Sequence, residues 1–397
     1  MIAHSGPEVR VKLRRDLRRS IRRGHPWVFS DAVSMARDAS PGQRALVIDN
    51  TGRPMARGYV DPSGPLALRI CVTDAKTQLD ASWVRARLSR ATSWRLRHFD
   101  PTDTNAYRLI NGEGDGLPGL VVDRYGDVAV LKLDGPIAEA FWDAAAIAGW
   151  LVEHVGVATV LQRFRTRGAP KMTPLIGDAP TEAVAFVEHG CRFVADLAVG
   201  QKTGFFLDQR ENRARVGAIS KGQTVLNIFG YTGGFSVYAG LAGATEVTTV
   251  DIAAPAIADA EVNWRLNGLD PAAHHGVAQD AFVFLDEAAK KKARYDVVVL
   301  DPPAFAPSKK TVGNATEAYK RVVAAGVRVV SSGGVLVAAS CSAHVHLPAF
   351  QDLVAEAIGQ ARRSATLFGV HGQPIDHPAP LVCKELHYLK CVFLRLD

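Results

Sequence analysis

The sequence predicts an α/β protein, with a C-terminal domain built on a doubly wound parallel sheet. A small β-rich domain and a small central α+β domain precede it. From about Thr181 onward, strand-like segments alternate with helix-length segments, which is the pattern of βαβ units. In Val297–Leu300 every residue is apolar and most are β-branched, which suits a strand covered on both faces. The length of 397 residues favours two or three domains.

The first domain, residues 1–75, is predicted from short β-like segments separated by turns. These segments are Arg44–Asp49, Ala56–Val60 and Leu66–Val72. Pro41-Gly42 and Asp61-Pro62 mark the turns between them.

The second domain, residues 76–180, opens with a helical pattern between Asp74 and Asp100. The residues spaced as one apolar helix face are Trp83, Leu88, Ala91, Trp94 and Leu96. The segments that follow are a hairpin of Val121–Asp123 and Val128–Leu133, a helix over Ile137–Val155, a strand over Ala158–Phe164 and a basic loop over Arg163–Pro174.

The third domain, residues 181–397, begins with a second hairpin and continues as the alternating region. The hairpin strands are Ala185–Val187 and Cys191–Asp196, and the sheet strands are Thr224–Phe229, Glu246–Asp251, Gly276–Ala278, Tyr295–Asp301 and Gly334–Ser340. A last strand over His387–Leu396 is expected to run antiparallel if a short loop connects it to its partner.

Composition predicts a soluble cytoplasmic protein. No stretch of about 18 apolar residues is present, and the basic N-terminus has no apolar segment typical of a signal peptide. The five cysteines form no CxxC pair, which argues against a zinc ribbon or a disulfide framework and fits a reducing compartment. No His/Asp/Glu cluster has metal-ligand spacing, so we expect no metal.

A basic segment lies between Arg10 and Arg23. Eight of its residues are Lys or Arg and one, Asp16, is acidic, within a chain of net charge +7. Such a segment is typical of a surface that binds the phosphates of a nucleic acid. The alternative is a solvated basic surface without a partner. The candidate RNA contacts are Arg14, Arg15, Arg18 and Arg22.

Glycines and acids follow three successive strands. Gly230, Gly233 and Gly234 in LNIFGYTGGFS permit a tight turn that brings backbone N–H groups close to a ligand. Asp251 ends the next strand, where a carboxylate can accept hydrogen bonds from ribose hydroxyls. Asp280 follows the third strand, where it would contact the edge of an adenine. The alternative is that these residues only terminate elements.

The loop is not GxGxxG, which disfavours a dinucleotide. These strand ends, together with Asp301-Pro302-Pro303 after the fourth strand, favour an S-adenosylmethionine enzyme over a dehydrogenase. Because this cofactor has no pyrophosphate, the tighter dinucleotide loop is not needed. The candidate contacts are Phe205, Asp208, Arg210, Asn227, Gly230, Tyr231, Thr232, Gly233, Asp251, Asp280 and Asp301. Asp208-Gln209-Arg210 either covers this cofactor or begins a solvated amphipathic helix.

Asp301-Pro302-Pro303 ends the fourth strand and places a carboxylate at the ligand-binding edge of the sheet. The two prolines make the backbone there rigid and leave it without N–H donors. With Phe305 as a stacking face, these residues suit a nucleobase. Cys341 ends the fifth strand and is the candidate nucleophile for C6 of a pyrimidine, while a buried structural cysteine is the alternative. A nearby cation would activate the thiol, and the candidates are Lys309, Lys384 and Lys390.

Across nearly its whole length the chain resembles the cytosine-5 23S ribosomal RNA methyltransferases of the bacterial large-subunit methyltransferase I type. The motifs are Gly24–Phe29 (GHPWVF), Gly112–Asp127 (GEGDGLPGLVVDRYGD), Gly200–Arg213 (GQKTGFFLDQRENR), Leu226–Ala239, Asp301–Phe305, Ser340–Ser342, Asp376–Pro378 and Tyr388–Lys390.

The resemblance implies an N-terminal PUA domain, a central α+β domain and a C-terminal Rossmann-like S-adenosylmethionine-dependent methyltransferase domain. It further implies Cys341 as the nucleophile, Asp301 on the N3 side of cytosine, 23S rRNA or a large-subunit precursor as substrate, and a homodimer.

Two features depart from the family pattern. The segment before Ser342 reads Ala-Ala-Ser-Cys, where family members often carry a second cysteine. The Arg163–Pro174 segment also differs, which bears on the choice of RNA site. An RNA N-methyltransferase acting at a site such as guanine N7, with no covalent nucleophile, and a catalytically inert RNA-binding assembly factor are the alternatives.

Overall fold

A computed structural model describes residues 1–4, 6–35, 38–164, 172–198, 203–305 and 312–397. The chain divides into two compact units. The first comprises Met1–Val187, Ala195–Leu207 and Ile375–Lys384, and the second comprises Glu188–Val194, Asp208–Pro374 and Glu385–Asp397. No helix among the described residues is long and apolar enough to span a bilayer.

The first unit begins with a six-stranded sheet. Its elements are β1 (Val9–Leu13), α1 (Arg18–Arg22), β2 (Trp27–Phe29), β3 (Val33–Ser34), β4 (Arg44–Ile48), β5 (Pro54–Val60) and β6 (Leu66–Val72). The strand order is β2-β6-β5-β4-β1-β3, with β1 and β4 parallel. The sequence predicted β4, β5 and β6. In β1, buried Val9, Val11 and Leu13 alternate with exposed Arg10 and Lys12, so strand and basic segment overlap.

The first unit also contains a five-stranded sheet of order β11-β10-β9-β8-β7. Its elements are α2 (Ala81–His98), β7 (Ala106–Asn111), β8 (Leu120–Tyr125), β9 (Val128–Leu133), α3 (Pro136–Phe141), α4 (Ala144–Val155), β10 (Thr159–Arg163) and β11 (Met172–Ile176). The predicted loop over Arg163–Pro174 is wrong at Met172–Pro174, which belong to β11, and residues 165–171 lie outside the described part.

Two predictions about helices in this unit are corrected. The helix expected over Ile137–Val155 is two helices, because the Asp143 side chain accepts a hydrogen bond from the Ala146 N–H and begins α4. The predicted apolar face of α2 is narrower than expected: Trp94 and Leu96 are 41% and 51% exposed. These two side chains do not belong to the core.

A two-stranded hairpin, β12 (Val184–Glu188) and β13 (Cys191–Ala195), precedes the alternating region. The elements that follow are α5 (Arg210–Ala218), β14 (Thr224–Ile228), α6 (Gly234–Leu241), β15 (Glu246–Asp251), α7 (Ala254–Leu266), β16 (His274–Ala278), α8 (Ala281–Lys290), β17 (Tyr295–Leu300), α9 (Val312–Val327), β18 (Val330–Ser340), α10 (Leu347–Gln360), β19 (Ala365–His371) and β20 (Lys390–Leu396).

Strands β14 to β20 form one sheet of order β16-β15-β14-β17-β18-β20-β19. The first five are parallel, as predicted, and β20 is antiparallel to both β18 and β19. Val297–Leu300 of β17 are at most 1% exposed, which explains their wholly apolar sequence. The carboxyl ends of β14, β15, β16, β17 and β18 therefore meet at one edge of the sheet, where such folds bind ligands.

Candidate active site

The loop after β14 has a strained backbone. Phe229 and Tyr231 have positive φ angles of 61° and 46°, values that residues with side chains rarely adopt. Gly230 between them is sterically required, since a Cβ there would lie 2.4 Å from Thr249 Cγ2. Strain of this kind persists where the surrounding structure holds the backbone in place, and it clusters at ligand sites.

Asp251, at the end of β15, holds this loop. Its carboxylate accepts hydrogen bonds from the N–H groups of Tyr231 and Ala253, both at 3.0 Å. The side chain is half-buried and, with two lone pairs on each oxygen, retains acceptor capacity for ribose hydroxyls.

Asp280 is exposed and caps helix α8, accepting from the N–H groups of Phe282 at 2.9 Å and Val283 at 3.1 Å. This is the element-terminating role that the sequence offered as the alternative, and its contact with an adenine stays a prediction.

Two buried polar atoms near the loop lack a partner among the described residues. They are Oδ1 of Asn227, a side chain fully buried at the end of β14, and Oγ1 of Thr232. Buried polar atoms are nearly always hydrogen-bonded, so these two fit a bound polar ligand. Together with the strained loop and Asp251, they form a cradle suited to S-adenosylmethionine.

Asp301 is held by a side chain that the sequence did not single out. Nε2 of Gln209 donates to Oδ2 of Asp301 at 2.9 Å, and Nδ2 of Asn212 donates to Oε1 of Gln209 at 2.7 Å. The amide chain orients a half-buried carboxylate at the end of β17. Gln209 lies inside the polar Asp208–Arg210 cluster, and its place in that cluster is the sequence feature that indicates a role for it.

The other two members of that cluster, Asp208 and Arg210, are buried in the second unit. Asp208 is 4% exposed and accepts a hydrogen bond from the hydroxyl of Tyr388 at 2.8 Å. Arg210 is fully buried in α5. This cluster is therefore not a solvated helix face. Phe205, by contrast, is buried in the first unit, where its N–H donates to the Tyr125 hydroxyl at 3.1 Å.

Cys341 directly follows β18 and is half-buried. Ser340, the last residue of β18, pairs across the sheet with Lys390, the first residue of β20. Lys390 Nζ donates to the carbonyls of Ser342 at 2.6 Å and Tyr388 at 2.8 Å. Burial lowers the pKa of Lys390 to about 8, and the neighbouring Cys341 thiolate opposes that shift. Of the three candidate cations Lys390 is thus beside Cys341, Lys309 lies outside the described residues, and Lys384 belongs to the first unit.

Tyr319 of α9 adds a hydroxyl beside the same strand end. It accepts a hydrogen bond from Ser340 Oγ at 3.0 Å. Burial raises the pKa of Tyr319 to about 12, so this group stays neutral at physiological pH. The Phe305 ring packs edge-on against Tyr319, 4.9 Å between centroids. Pro302 is buried, whereas Pro303 faces solvent.

The four candidate arginines of the basic segment differ in their surroundings. Arg15 forms an ion pair with Asp31, and Arg18 pairs with Asp16 at 2.7 Å. Arg14 and Arg22 are exposed, and no carboxylate among the described residues pairs with them. Arg14 and Arg22 thus present the less neutralised charge.

A family model described as S-adenosylmethionine-dependent methyltransferase matches residues 140–371, more than half of the chain. The chain belongs to this family. It is an enzyme that uses S-adenosylmethionine, and the matched residues include six of the seven strands of the sheet in the second unit, β14 to β19. A PUA-like domain model matches residues 11–72, which extend from within β1 to the end of β6. The fold class predicted from the sequence is confirmed.

The chain is 41% identical over its whole length to a ribosomal RNA large subunit methyltransferase of Deinococcus radiodurans, covering 99% of that protein. It is 34% identical to ribosomal RNA large subunit methyltransferase I of Shewanella denitrificans, with 98% of this chain and 99% of the relative covered. These matches confirm the family resemblance seen in the motifs.

Two solved structures share the fold. A SAM-dependent methyltransferase from Streptococcus mutans superposes with a TM-score of 0.84 at 22% identity, covering 98% of this chain and all of the other. A methyltransferase solved in complex with SAH gives 0.85 at 23% identity, with the same coverage.

Proposed function

We propose that this enzyme transfers a methyl group from S-adenosylmethionine to C5 of a cytosine in 23S ribosomal RNA. The observation that carries the proposal is Cys341, half-buried at the end of β18, one strand from Asp301 and with Lys390 beside it. The names of the relatives support ribosomal RNA of the large subunit as substrate.

The chemistry follows from the reactivity of the pyrimidine ring. C5 of cytosine is a poor nucleophile until a thiolate adds to C6, which places electron density on C5. Cys341 Sγ forms that C6–S bond as N3 takes up a proton from solvent, and the Asp301 carboxylate accepts a hydrogen bond from that N3–H. S-adenosylmethionine supplies the methyl group, which bonds to C5 and leaves S-adenosylhomocysteine. Water then removes the C5 proton, the C6–S bond breaks to release the Cys341 thiolate, and N3 returns its proton to solvent as the aromatic ring is restored.

The target base must leave its stack to reach this strand edge. Flipping a base costs a few kcal/mol, offset by contacts in the pocket. Pro302, Pro303 and Phe305 are the proposed contacts, of which Pro303 is exposed for a ligand. Because Phe305 already packs against Tyr319, it would present its ring in a fixed orientation.

The position of Lys390 supports the proposed thiolate at Cys341. Protonated Lys390 is a buried cation beside it, held by two carbonyls. A neighbouring positive charge stabilises a thiolate and favours nucleophilic attack. Gln209 fixes the Asp301 carboxylate so that the carboxylate meets the base in one orientation.

RNA is the proposed partner of the basic segment as well. Arg14 and Arg22 would contact phosphates first, and Arg15 and Arg18 would exchange their acidic partners for phosphate oxygens. A ribosomal substrate implies a cytoplasmic enzyme. The homodimer expected from the resemblance is also a proposal, and light scattering during size-exclusion chromatography measures it directly.

The test is product identification. Unmodified 23S rRNA is incubated with S-adenosylmethionine and enzyme, and its nucleosides are identified by mass spectrometry. Cys341→Ala is compared with Cys191→Ala, which removes a buried thiol away from the end of β18. We expect 5-methylcytidine from the wild type and from Cys191→Ala and none from Cys341→Ala. A methylated purine that Cys341→Ala forms as well as the wild type would indicate methylation without a covalent nucleophile and would contradict the proposed cytosine-C5 chemistry.

A further inference from the structure

The first unit contains a cavity of about 610 Å³ that the methyl-transfer chemistry does not use. Its walls include Gly24–Pro26, strand β6, helix α2 and the GEGD turn over Gly112–Asp115. This volume is in the range of small-molecule sites and can accommodate a nucleotide. We refer to it as the α2 cavity.

Helix α2 gives the cavity its charge. Its 18 residues include five arginines and no acid. Arg87, Arg90, Trp94 and Arg97 line the cavity together. Their spacing of three, four and three residues places them on one helix face. Trp94 is 41% exposed, so a large flat ring stands among the three cations.

The carboxylates that line the cavity already have other partners. Glu113 accepts from Arg69 at 2.7 Å and from Trp27 Nε1 at 2.8 Å. Asp115 accepts both guanidinium nitrogens of the fully buried Arg95, at 2.7 and 2.8 Å.

No carboxylate among the described residues pairs with Arg87, Arg90 or Arg97. Because the lining carboxylates pair with Arg69 and Arg95, the cavity keeps an excess of positive charge, which attracts a ligand of negative charge.

The GEGD turn shapes the floor of the cavity. A Cβ at Gly114 would lie 1.8 Å from the carbonyl oxygen of Pro378, so only glycine fits there. Arg87 lies over the neighbouring Gly116, where a Cβ would come within 3.2 Å of its guanidinium. The cavity is thus formed by tightly packed backbone, which keeps its shape before a ligand enters.

We propose that the α2 cavity binds a nucleotide of single-stranded RNA, with the base stacked on Trp94 and the flanking phosphates on Arg90 and Arg97. Cationic grooves with an exposed aromatic ring are the general means of holding single strands. The proposal rests on the proposed RNA substrate, and it adds a second RNA contact that would hold the substrate while another nucleotide is methylated.

The test uses the full-length protein and a fluorescein-labelled, 12-nucleotide single-stranded RNA, with binding followed by anisotropy at several KCl concentrations. Arg90→Glu reverses a charge in the cavity. Arg85→Glu makes the same change on an exposed residue of α2 that does not line the cavity. Trp94→Ala and Trp94→Phe separate stacking from charge, and thermal unfolding confirms that each variant is folded.

We expect Arg90→Glu to weaken RNA binding at least about tenfold and to lower the salt slope by about 0.7, the value for one phosphate contact on a single strand. Arg85→Glu should change the affinity less than about threefold. Trp94→Ala should weaken binding about tenfold, and Trp94→Phe should retain most of the affinity.

Equal effects of Arg90→Glu and Arg85→Glu, or unchanged binding by Trp94→Ala, would overturn the cavity proposal even if the wild type methylates RNA. Failure of the proposed function is distinguishable, because the wild type would then form no 5-methylcytidine while anisotropy still reported cavity-dependent binding.

Discussion

Lys390 provides a quantitative test of the active-site arrangement. The side chain is 4% exposed, and burial lowers its pKa from the ordinary 10.5 to about 8. Below pH 8 both the folded and the unfolded chain carry the proton, and burial of the charge costs about 3 kcal/mol. Between pH 8 and 10.5 the unfolded chain binds more protons, so this penalty disappears as the pH rises. The free energy of unfolding of the wild type should therefore increase, relative to Lys390→Met, through that window.

The assay measures protonation directly. In protein labelled with ¹³C at lysine Cε, the NMR signal that Lys390→Met removes is assigned and titrated, and we expect its midpoint near pH 8. Lys290 is the internal control, because its pair with Asp286 raises its pKa. A midpoint at the ordinary value of 10.5 for Lys390 would refute the reasoning, since it would mean that the ammonium is solvated and not enclosed beside Cys341.

The same group should control thiol reactivity. Because protonated Lys390 stabilises a thiolate at Cys341, Lys390→Met should slow alkylation of Cys341 by iodoacetamide at pH 7 by roughly tenfold. The difference should shrink above pH 8, where the wild-type lysine also loses its charge. Equal rates at pH 7, measured by mass spectrometry of the Cys341 peptide, would contradict the proposed activation.

Two further predictions concern the cofactor loop and the first unit. Gly230→Ala, whose Cβ would lie 2.4 Å from Thr249 Cγ2, should weaken S-adenosylmethionine binding at least about tenfold by calorimetry, the equivalent of a 1.4 kcal/mol loss. Gly359→Ala, at an open helical position, is the control and should bind normally. Glu113→Gln removes the charge that Arg69 contacts at 2.7 Å and should lower stability by about 1–3 kcal/mol in urea unfolding. An unchanged unfolding midpoint would show that this ion pair contributes nothing.

Local sequence patterns were sufficient for the parallel strands of the second unit's sheet, but they did not predict β19, an edge strand that is largely exposed. Apolar segments separated by helix-length stretches predict βαβ units regardless of distant contacts, and β14, β15, β17 and β18 begin and end within a few residues of their predicted bounds. The short strand β1 was missed because its exposed face is basic, so charge masked the alternation. Trp94 was assigned to the core because its spacing fits an apolar face, although a tryptophan at such a position can equally line a cavity.

The sequence alone determined which chemical groups stand at the ends of the parallel strands, because a strand and the residues that follow it are continuous in the chain. It therefore predicts that Cys341 and Asp301 lie at one edge of the sheet. Only the tertiary structure decided which side chains from distant parts of the chain lie beside Cys341 and Asp301. Lys390 reaches Cys341 because β20 runs antiparallel to β18, and Gln209 reaches Asp301 from a segment 92 residues earlier. Such contacts depend on strand order and register, which arise from packing of the whole sheet and leave no local signal.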